Sequence, residues 1–331
     1  MNRQAANNRS AGDVDLSIII VSYNTREMTV ECLRSIAAET RDTSYEVLVV
    51  DNKSSDGSAE AIRENFPDVK LTALTDNIGF ARANNLAAKT ARGRRILLLN
   101  PDTIILHRAI DRLMEFAARN PSYRVWGGRT VFGDGSLNAT SCFRKITLWN
   151  LACFAFCLTY FGRRSAFLNS ESYGGWQRDT VRHVDIVTGC FLLIDRDLWD
   201  QLDGFDPAFF MYGEEADLCQ RARVAGARPA VTPNATIVHY GGASDVVPVD
   251  KRVKVFKGRI TLINRHFSSI TRDLARGLHL IAPLMRWCGY RLAAFLSGKF
   301  DLASKADYWK AVWRRRAEWI NGYDAYAPEK K

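Results

Sequence analysis

Short apolar runs, each closed by a polar cluster and separated from the next by a helical stretch, constrain the fold more than any other feature of this chain. Leu16–Ser22 (LSIIIVS), Glu46–Val50 (EVLVV) and Arg95–Leu99 (RILLL) are almost wholly apolar, and Val69–Ala73 forms a fourth, more mixed run. Strands of that composition are buried on both faces, as in a parallel sheet covered by helices. The intervening stretches Met28–Ala38, Ser58–Asn65, Gly79–Lys89 and His107–Ala118 read as those helices. The fold class is therefore α/β, with a mainly parallel sheet sandwiched between helices. In such sheets ligands bind beyond the carboxyl ends of the strands. Those ends carry Tyr23-Asn24, Asp51-Asn52 and Asn100-Pro101-Asp102. Neither GxGxxG nor GxxxxGK[ST] occurs at them, which excludes the dinucleotide fingerprint and the P-loop.

The second half changes character. Ile146–Phe161 (ITLWNLACFAFCLTYF) is apolar, bracketed by Arg144, Lys145 and Arg163, Arg164. Sixteen residues fall short of the roughly 20 that span a bilayer, so a buried or interfacial helix is expected. Val184–Asp195 is strand-like around Thr188-Gly189, Asp197–Leu202 and Glu214–Val224 are helical, and Thr236–Ser244 is a strand leading into a glycine turn.

Charge is distributed unevenly. The chain carries a formal net charge of +10, yet Lys251 onward holds 18 Lys and Arg against 6 Asp and Glu, and residues 1–250 are close to neutral. Apolar and aromatic residues interleave the basic ones, from Leu278 through Trp287 and Phe295 to Trp313 and Arg314–Arg316. Basic amphipathic helices with Trp near their boundary suit an anionic membrane surface; a helical cap on the main domain is the alternative. No nucleic-acid reader motif accompanies the charge, so nucleic acid is not expected as a partner. The opening MNRQAANNRSAGDVD lacks the apolar core of a signal peptide, which points to a cytoplasmic chain. Its seven cysteines have no CxxC pair and read as small core residues rather than disulfides or zinc ligands.

Taken in order, VSYN (21–24), VVDNKSSDGS (49–58), NIGFARANN (77–85), LLLNPDT (97–103), FFMYGEEADLCQR (209–221) and TIVHYGGAS (236–244) resemble the family 2 glycosyltransferases of the GT-A fold, especially their rhamnosyltransferase-like branch. The resemblance spans roughly residues 15–270. It implies a GT-A domain at 15–270 with an acceptor-side or interfacial insertion at 143–180; composition adds a polar, disordered leader at 1–14 and a basic amphipathic helical tail at 271–331. The implied activity is inverting, metal-dependent transfer of a sugar, rhamnose by family weight, from a dTDP- or UDP-sugar to a glycan or lipid-linked acceptor. That work would occur in cell-surface polysaccharide synthesis, with the enzyme peripheral on the inner membrane face.

The chemistry explains why such residues are wanted. Tyr23 can stack on a base, and Asp51 can accept from a base N–H or a ribose hydroxyl. The motifs also put Ser22, Asn24, Asn52, Gly79, Phe80, Asn85 and Asn100 on the donor side, with Arg82 toward the phosphates. The diphosphate leaving group gains charge as the glycosidic bond breaks, which Mg²⁺ or Mn²⁺ would stabilise. Asp102 holds the last position of the family's Asp-x-Asp-type metal motif, with Asn100 at the first, and His239 is the candidate second ligand. A general base must take the acceptor's proton. The family uses the second residue of a Glu-Asp pair, here Glu214-Glu215, so Glu215 is the expected base and Asp217 a further acidic position. Thr188 and Gly189 form the expected small-residue turn beside the acceptor, with Asp185 and Trp176 near it. The Glu-Glu departure leaves a rival open: a nucleotide-sugar-binding scaffold without catalysis.

Overall fold

The structure, a computed structural model, describes residues 14–241 and 247–323. Its first half alternates strand and helix: β1 (Leu16–Ser22), α1 (Arg26–Glu39), β2 (Tyr45–Asp51), α2 (Ser58–Asn65), β3 (Lys70–Ala73), α3 (Phe80–Ala88), β4 (Arg95–Leu99), β5 (Thr103–Ile105) and α4 (Ala109–Arg119). Then come β6 (Val125–Val131), β7 (Cys142–Phe143), α5 (Leu148–Ala155), α6 (Leu158–Phe161), β8 (Arg182–His183), β9 (Ile186–Val187) and β10 (Phe191–Asp195). The chain continues through α7 (Arg196–Gln201), α8 (Glu214–Val224), β11 (Ala230–His239), α9 (Pro248–His266), α10 (Ser269–Ser297) and α11 (Phe300–Arg314).

Nine strands form one mixed, mainly parallel sheet in the order β3-β2-β1-β4-β10-β6-β11-β5, with β8 also on β11. β3, β2, β1 and β4 run parallel, β10 is antiparallel to β4 and β6, and β5 is antiparallel to β11. β1 is buried along its whole length because its two faces feed two separate cores. Ile19 and Val21 pack under α3 and α8, whereas Leu16, Ile18 and Ile20 pack under α1 and α4. This is the sandwich expected from the unbroken apolar runs.

The connection from β4 to β5 shapes the site. Four strand spacings, about 19 Å, separate these strands along the sheet order. The link Asn100-Pro101-Asp102 cannot bridge that distance on a flat sheet, since a residue extends at most about 3.6 Å. The sheet therefore curls, and its far edge folds back over the end of β4. That curl delivers β11 and its terminal His239 to the polar end of β4.

Two expectations needed correction, and one central strand was not anticipated. Ile146–Phe161 is not one helix: it breaks at Cys157, where φ is +60°, into α5 and α6. Thr147 and Asn150 cap α5 reciprocally, so its start is sharply defined. The strand expected at 236–244 begins earlier, at Ala230, and bulges between Val231 and Thr236; Gly242–Ser244 lie outside the described residues. The central strand β6 gives no apolar run at all, since Gly127 and Gly128 interrupt it. A Cβ at Gly128 would collide with the Ala235 carbonyl of β11 and the Phe191 ring of β10.

The C-terminal helices are integral to the fold. Phe256 of α9, Trp309 and Val312 of α11, and Trp319 beyond it form a buried aromatic cluster. Tyr323 joins the main core, and its hydroxyl donates to the Met211 carbonyl at 2.8 Å. All seven cysteines are free, with Cys32, Cys142, Cys153, Cys190 and Cys219 buried. Burial pushes the Cys32 and Cys219 thiols up to about 12, which makes them core residues rather than nucleophiles.

Candidate active site at the carboxyl end of the sheet

β2 and β4 flank β1, so Asp51 and the Asn100–Asp102 link stand about two strand spacings apart, roughly 10 Å. Asp51 closes β2 and is buried. Its Oδ2 accepts from the Ser54 N–H at 3.0 Å, while Oδ1 is buried without a partner. A buried acceptor left unpaired is costly, so this oxygen is suited to a donor brought by a ligand. Tyr23 lies half-buried at the end of β1. Asn24 adopts φ +51° and pins the next loop, with its Oδ1 accepting from the Ser55 N–H at 2.8 Å.

Beyond β4 the register decides the geometry. β11 pairs with β5 so that His239 lies opposite Thr103, one residue past Asp102. His239 Nε2 consequently sits 3.4 Å from Asp102 Oδ1 and 3.3 Å from the Asn100 amide nitrogen. Asp102 Oδ2 accepts from the Gly241 N–H at 2.9 Å. Burial would raise the Asp102 pKa, but the His239 and Gly241 contacts outweigh it and hold the carboxyl below its ordinary value. Burial likewise opposes charge on His239, yet Cys190 and Asp102 together push the imidazole up to about 10, so a cation bound at Nε2 would have to displace its proton.

Two cis donors on one octahedral ion, with bonds of about 2.1 Å, stand about 3 Å apart. The Asp102–His239 spacing is close to that. Among the described residues no group of three or more His, Cys, Asp or Glu is arranged to hold a metal ion. The pair therefore fits a cation that takes its other ligands from a diphosphate and water, which is how Mg²⁺ is usually held.

α8 starts with Glu214 buried and Glu215 half-buried. Burial raises both carboxyl pKa values, and the neighbouring Glu215 charge pushes Glu214 furthest. Glu214 Oε2 has no partner, whereas Glu215 Oε2 accepts from the Gly213 N–H at 3.2 Å. The helix dipole favours negative charge here but does not overcome burial.

A relay of hydrogen bonds joins the end of β2 to the loop before α8. The Asn52 amide donates to Asn77 Oδ1 at 2.9 Å and accepts from the Ile78 N–H at 2.9 Å. Gly79 donates to the same Asn77 oxygen at 3.0 Å, and the Phe80 N–H donates to the Phe210 carbonyl at 2.7 Å. Gly79 has φ +85°, and a Cβ there would lie 2.5 Å from the Phe210 oxygen. Only glycine fits that approach. Phe210 belongs to the loop that opens into α8, so the turn after β3 positions the acidic pair. Beneath it the Phe80 ring lies near Phe205 and would meet a Cβ on Gly189 at 3.4 Å.

Several expected site residues spend their polar atoms on the protein itself. Ser22 Oγ is buried against Thr25 and Thr29. Asn85 clamps the Phe205 backbone from both sides, at 2.7 and 2.9 Å. Asp217 binds His266 at 2.8 Å and Arg221 at 2.7 Å; against the effect of burial, these partners hold its pKa down. Asp185 pairs with Arg223 at 2.9 Å and accepts from the Lys145 N–H at 3.0 Å. The Trp176 ring carries the guanidinium groups of Arg178 and Arg182 within about 5 Å of its centroid, and its Nε1 donates to Thr180 Oγ1 at 3.1 Å. Thr188 donates to the Thr140 carbonyl at 2.8 Å, which fixes a turn whose Cys190 carbonyl accepts from the Asn100 N–H at 3.2 Å. Thr188-Gly189 thereby abuts the Asn100–Asp102 link. Arg82 is exposed and uses Nε on the Pro207 carbonyl at 2.9 Å.

Residues 17–199, more than half of the chain, match the family described as Glycosyl transferase family 2. The protein belongs to that family. Its relatives include the rhamnosyltransferase WbbL of Escherichia coli K12, 30% identical over 67% of this glycosyltransferase and 82% of that protein. An N-acetylglucosaminyl-diphospho-decaprenol L-rhamnosyltransferase of Mycobacterium tuberculosis is 26% identical over 68% and 76%, respectively. Among solved structures, a mannosyltransferase of Pyrobaculum calidifontis in complex with GDP-Man and Mn²⁺ superposes with a TM-score of 0.56 over 93% of this chain and 88% of that one, at 17% identity. That likeness shows the shared GT-A fold.

Three residues that support the site of this glycosyltransferase carry no local signal of that role. Asn138 donates to the His239 carbonyl at 2.8 Å, Asn77 anchors the relay, and Tyr323 braces the loop before α8 from the far end of the chain. Asn138 and Tyr323 lie outside every motif, and only the tertiary structure reveals their partners.

Proposed function

We propose that this glycosyltransferase inverts the anomeric centre of a sugar, rhamnose being favoured by the relatives' names, as it moves from a dTDP- or UDP-sugar to a hydroxyl of a glycan or lipid-linked glycan. The setting is cell-surface polysaccharide synthesis on the cytoplasmic, anionic face of the membrane. Among the described residues no helix is long and apolar enough to cross a membrane. The observation that carries the reading is the Asp102–His239 pair, 3.4 Å apart and about two strands from the unpaired Asp51 oxygen.

In this reading Tyr23 and Asp51 take the nucleoside, Tyr23 by stacking and Asp51 through Oδ1. Arg82 turns its Nη groups toward the phosphates. Asp102 and His239 hold the divalent cation, Mg²⁺ or Mn²⁺, which when bound supplies Lewis-acid stabilisation of the departing diphosphate. Thr188-Gly189 keeps backbone low beside the sugar, leaving room for the acceptor. Glu215 removes the acceptor hydroxyl proton while that oxygen attacks the anomeric carbon from the opposite face, as in a single-displacement inverting reaction. Its raised pKa makes it a stronger base than an exposed glutamate. Glu214 stays protonated beside it and donates to it, and Asp217 secures α8 through His266 and Arg221.

Incubation with dTDP-rhamnose and with UDP-sugars, and NMR assignment of the product's anomeric configuration, tests this reading. It predicts inverted product from the wild type and almost none from Glu215→Gln. Nucleotide binding without transfer to any acceptor would instead favour a non-catalytic scaffold.

A further inference from the structure

Two segments more than a hundred residues apart bring their exposed apolar side chains to one side of the molecule. α10 and α11 form an antiparallel hairpin that turns at Gly298, φ +67°. Its tip exposes Phe295 (84%), Leu296 (75%) and Phe300 (85%), and α6 exposes Phe161 (83%) beside Phe156 and Tyr160. The insertion is fixed against the hairpin from below. The Arg286 guanidinium of α10 lies 3.7 Å over the Phe154 ring and donates to the Phe154 carbonyl, and Phe154 in turn packs on Trp309 of α11. Lys305 of α11, held charged chiefly by Asp301, also feels the hydroxyls of Tyr290 on α10 and Tyr160 on α6. Lys305 is five residues from Phe300 and Tyr290 five from Phe295, about 7.5 Å along their helices. Tyr160 is therefore within electrostatic reach of Lys305 on the hairpin, with Phe161 packed against it at 5.6 Å between ring centroids.

The rim of this surface is cationic. Arg163, Arg164, Arg291 and Lys299 are exposed, and no carboxylate pairs with any of them among the described residues. The nearby Asp301 is neutralised by Lys305 at 2.6 Å. Monomeric proteins rarely leave so much aromatic surface in water. A second copy is a poor occupant, because self-association through this face would confront the unpaired cations of one rim with those of the other. An anionic bilayer satisfies both parts: aromatic side chains enter the acyl boundary while Arg and Lys remain among the phosphates.

We infer that the tip of the α10–α11 hairpin and the α6 insertion form a single wedge that docks into an anionic lipid surface. This deepens the membrane setting proposed above and rests on it. It assigns docking to the insertion as well as to the basic C-terminal segment. Deleting residues 272–331 cannot test it, since Trp319 and Tyr323 belong to the folded cores.

The test is flotation of the full-length chain with phosphatidylcholine vesicles, with and without about one-third phosphatidylglycerol, and circular dichroism melting as the folding control. The wild type should float with the anionic vesicles only. Phe161→Asp with Phe295→Asp should melt normally and lose at least about tenfold in partitioning, with Phe161→Asp alone already weakening it. Arg163→Glu and Lys299→Glu should each cost about fivefold or more, an effect that added salt erases. Variants that float as well as the wild type would overturn the wedge and leave the membrane setting standing. A wild type that ignores anionic vesicles would overturn both. A concentration-dependent dimer in light scattering, abolished by Phe161→Asp without any flotation of the wild type, would reassign the face to a second copy.

Discussion

Asp102 and the Glu214–Glu215 pair are the acidic groups of the proposed site, and the fold gives them opposite surroundings. Asp102 lies at a strand end where an imidazole and a backbone N–H reach its two oxygens, so it stays ionised despite burial. Glu214 and Glu215 open a helix with few partners besides each other, so burial prevails and both hold protons more tightly. The lesson is that acid–base roles follow the partners a carboxylate meets, not its residue type. Asp217 is the instructive third case: it lies on the same helix turn as the glutamates, yet His266 and Arg221 bind it as firmly as His239 binds Asp102.

If this contrast governs catalysis, the largest effect falls on Glu215. Glu215→Gln should lower kcat by about 10²–10⁴ with little change in donor KM, measured in steady-state assays. Asp217→Asn should strike stability instead, costing about 1–3 kcal/mol in denaturant titration, because it removes the charge that Arg221 and His266 bond. The acid limb of its pH–rate profile should remain that of the wild type. A shift of that limb would erase the distinction between Asp217 and the glutamate pair.

The pH dependence sharpens the comparison further. The base must lose its proton before it acts, so the acid limb of kcat should lie above the ordinary glutamate value of 4.5. Glu214→Ala removes the donor beside Glu215 and should move the limb further alkaline, while Glu214→Gln, which keeps an N–H, should hold it. The smallest effect is on folding. A raised pKa means the native state binds protons the unfolded chain has released, so stability contributed by Glu214 declines as pH rises from 4.5 toward the raised value. Glu214→Gln should therefore raise Tm at neutral pH more than at acid pH. Asp102, with a lowered pKa, has the opposite sign: its contribution is present above the ordinary 3.8 and is lost as pH falls through the lowered value.

The strand-end half of the molecule was legible from residues alone. β1, β4, α2 and α8 have the bounds their apolar and polar patterning indicates, because double-sided burial and helix periodicity leave direct marks on composition. β6 left none, as its two glycines answer to β10 and β11 rather than to any local preference. The polar strand ends pointed to Asp51 and Asp102, but Ser22, Asn52, Asn85 and Asp217 look the same in sequence. What separates Asp51 from them is an oxygen that no protein partner holds, whereas theirs are held by partners as far away as Phe205 and His266, and Asp102 is told apart by its imidazole neighbour. The break at Cys157 was equally hidden, since both sides of it are apolar.

The central claim is that Asp102 and His239 hold the cation on which donor binding depends. Calorimetric titration of dTDP and of UDP, with and without Mn²⁺, into the wild type and Asp102→Ala tests it most directly. The account predicts binding of one of the two nucleotides that requires Mn²⁺ in the wild type and disappears in Asp102→Ala, whose melting curve remains cooperative. Binding of equal strength without the metal, or undiminished in Asp102→Ala, would contradict it.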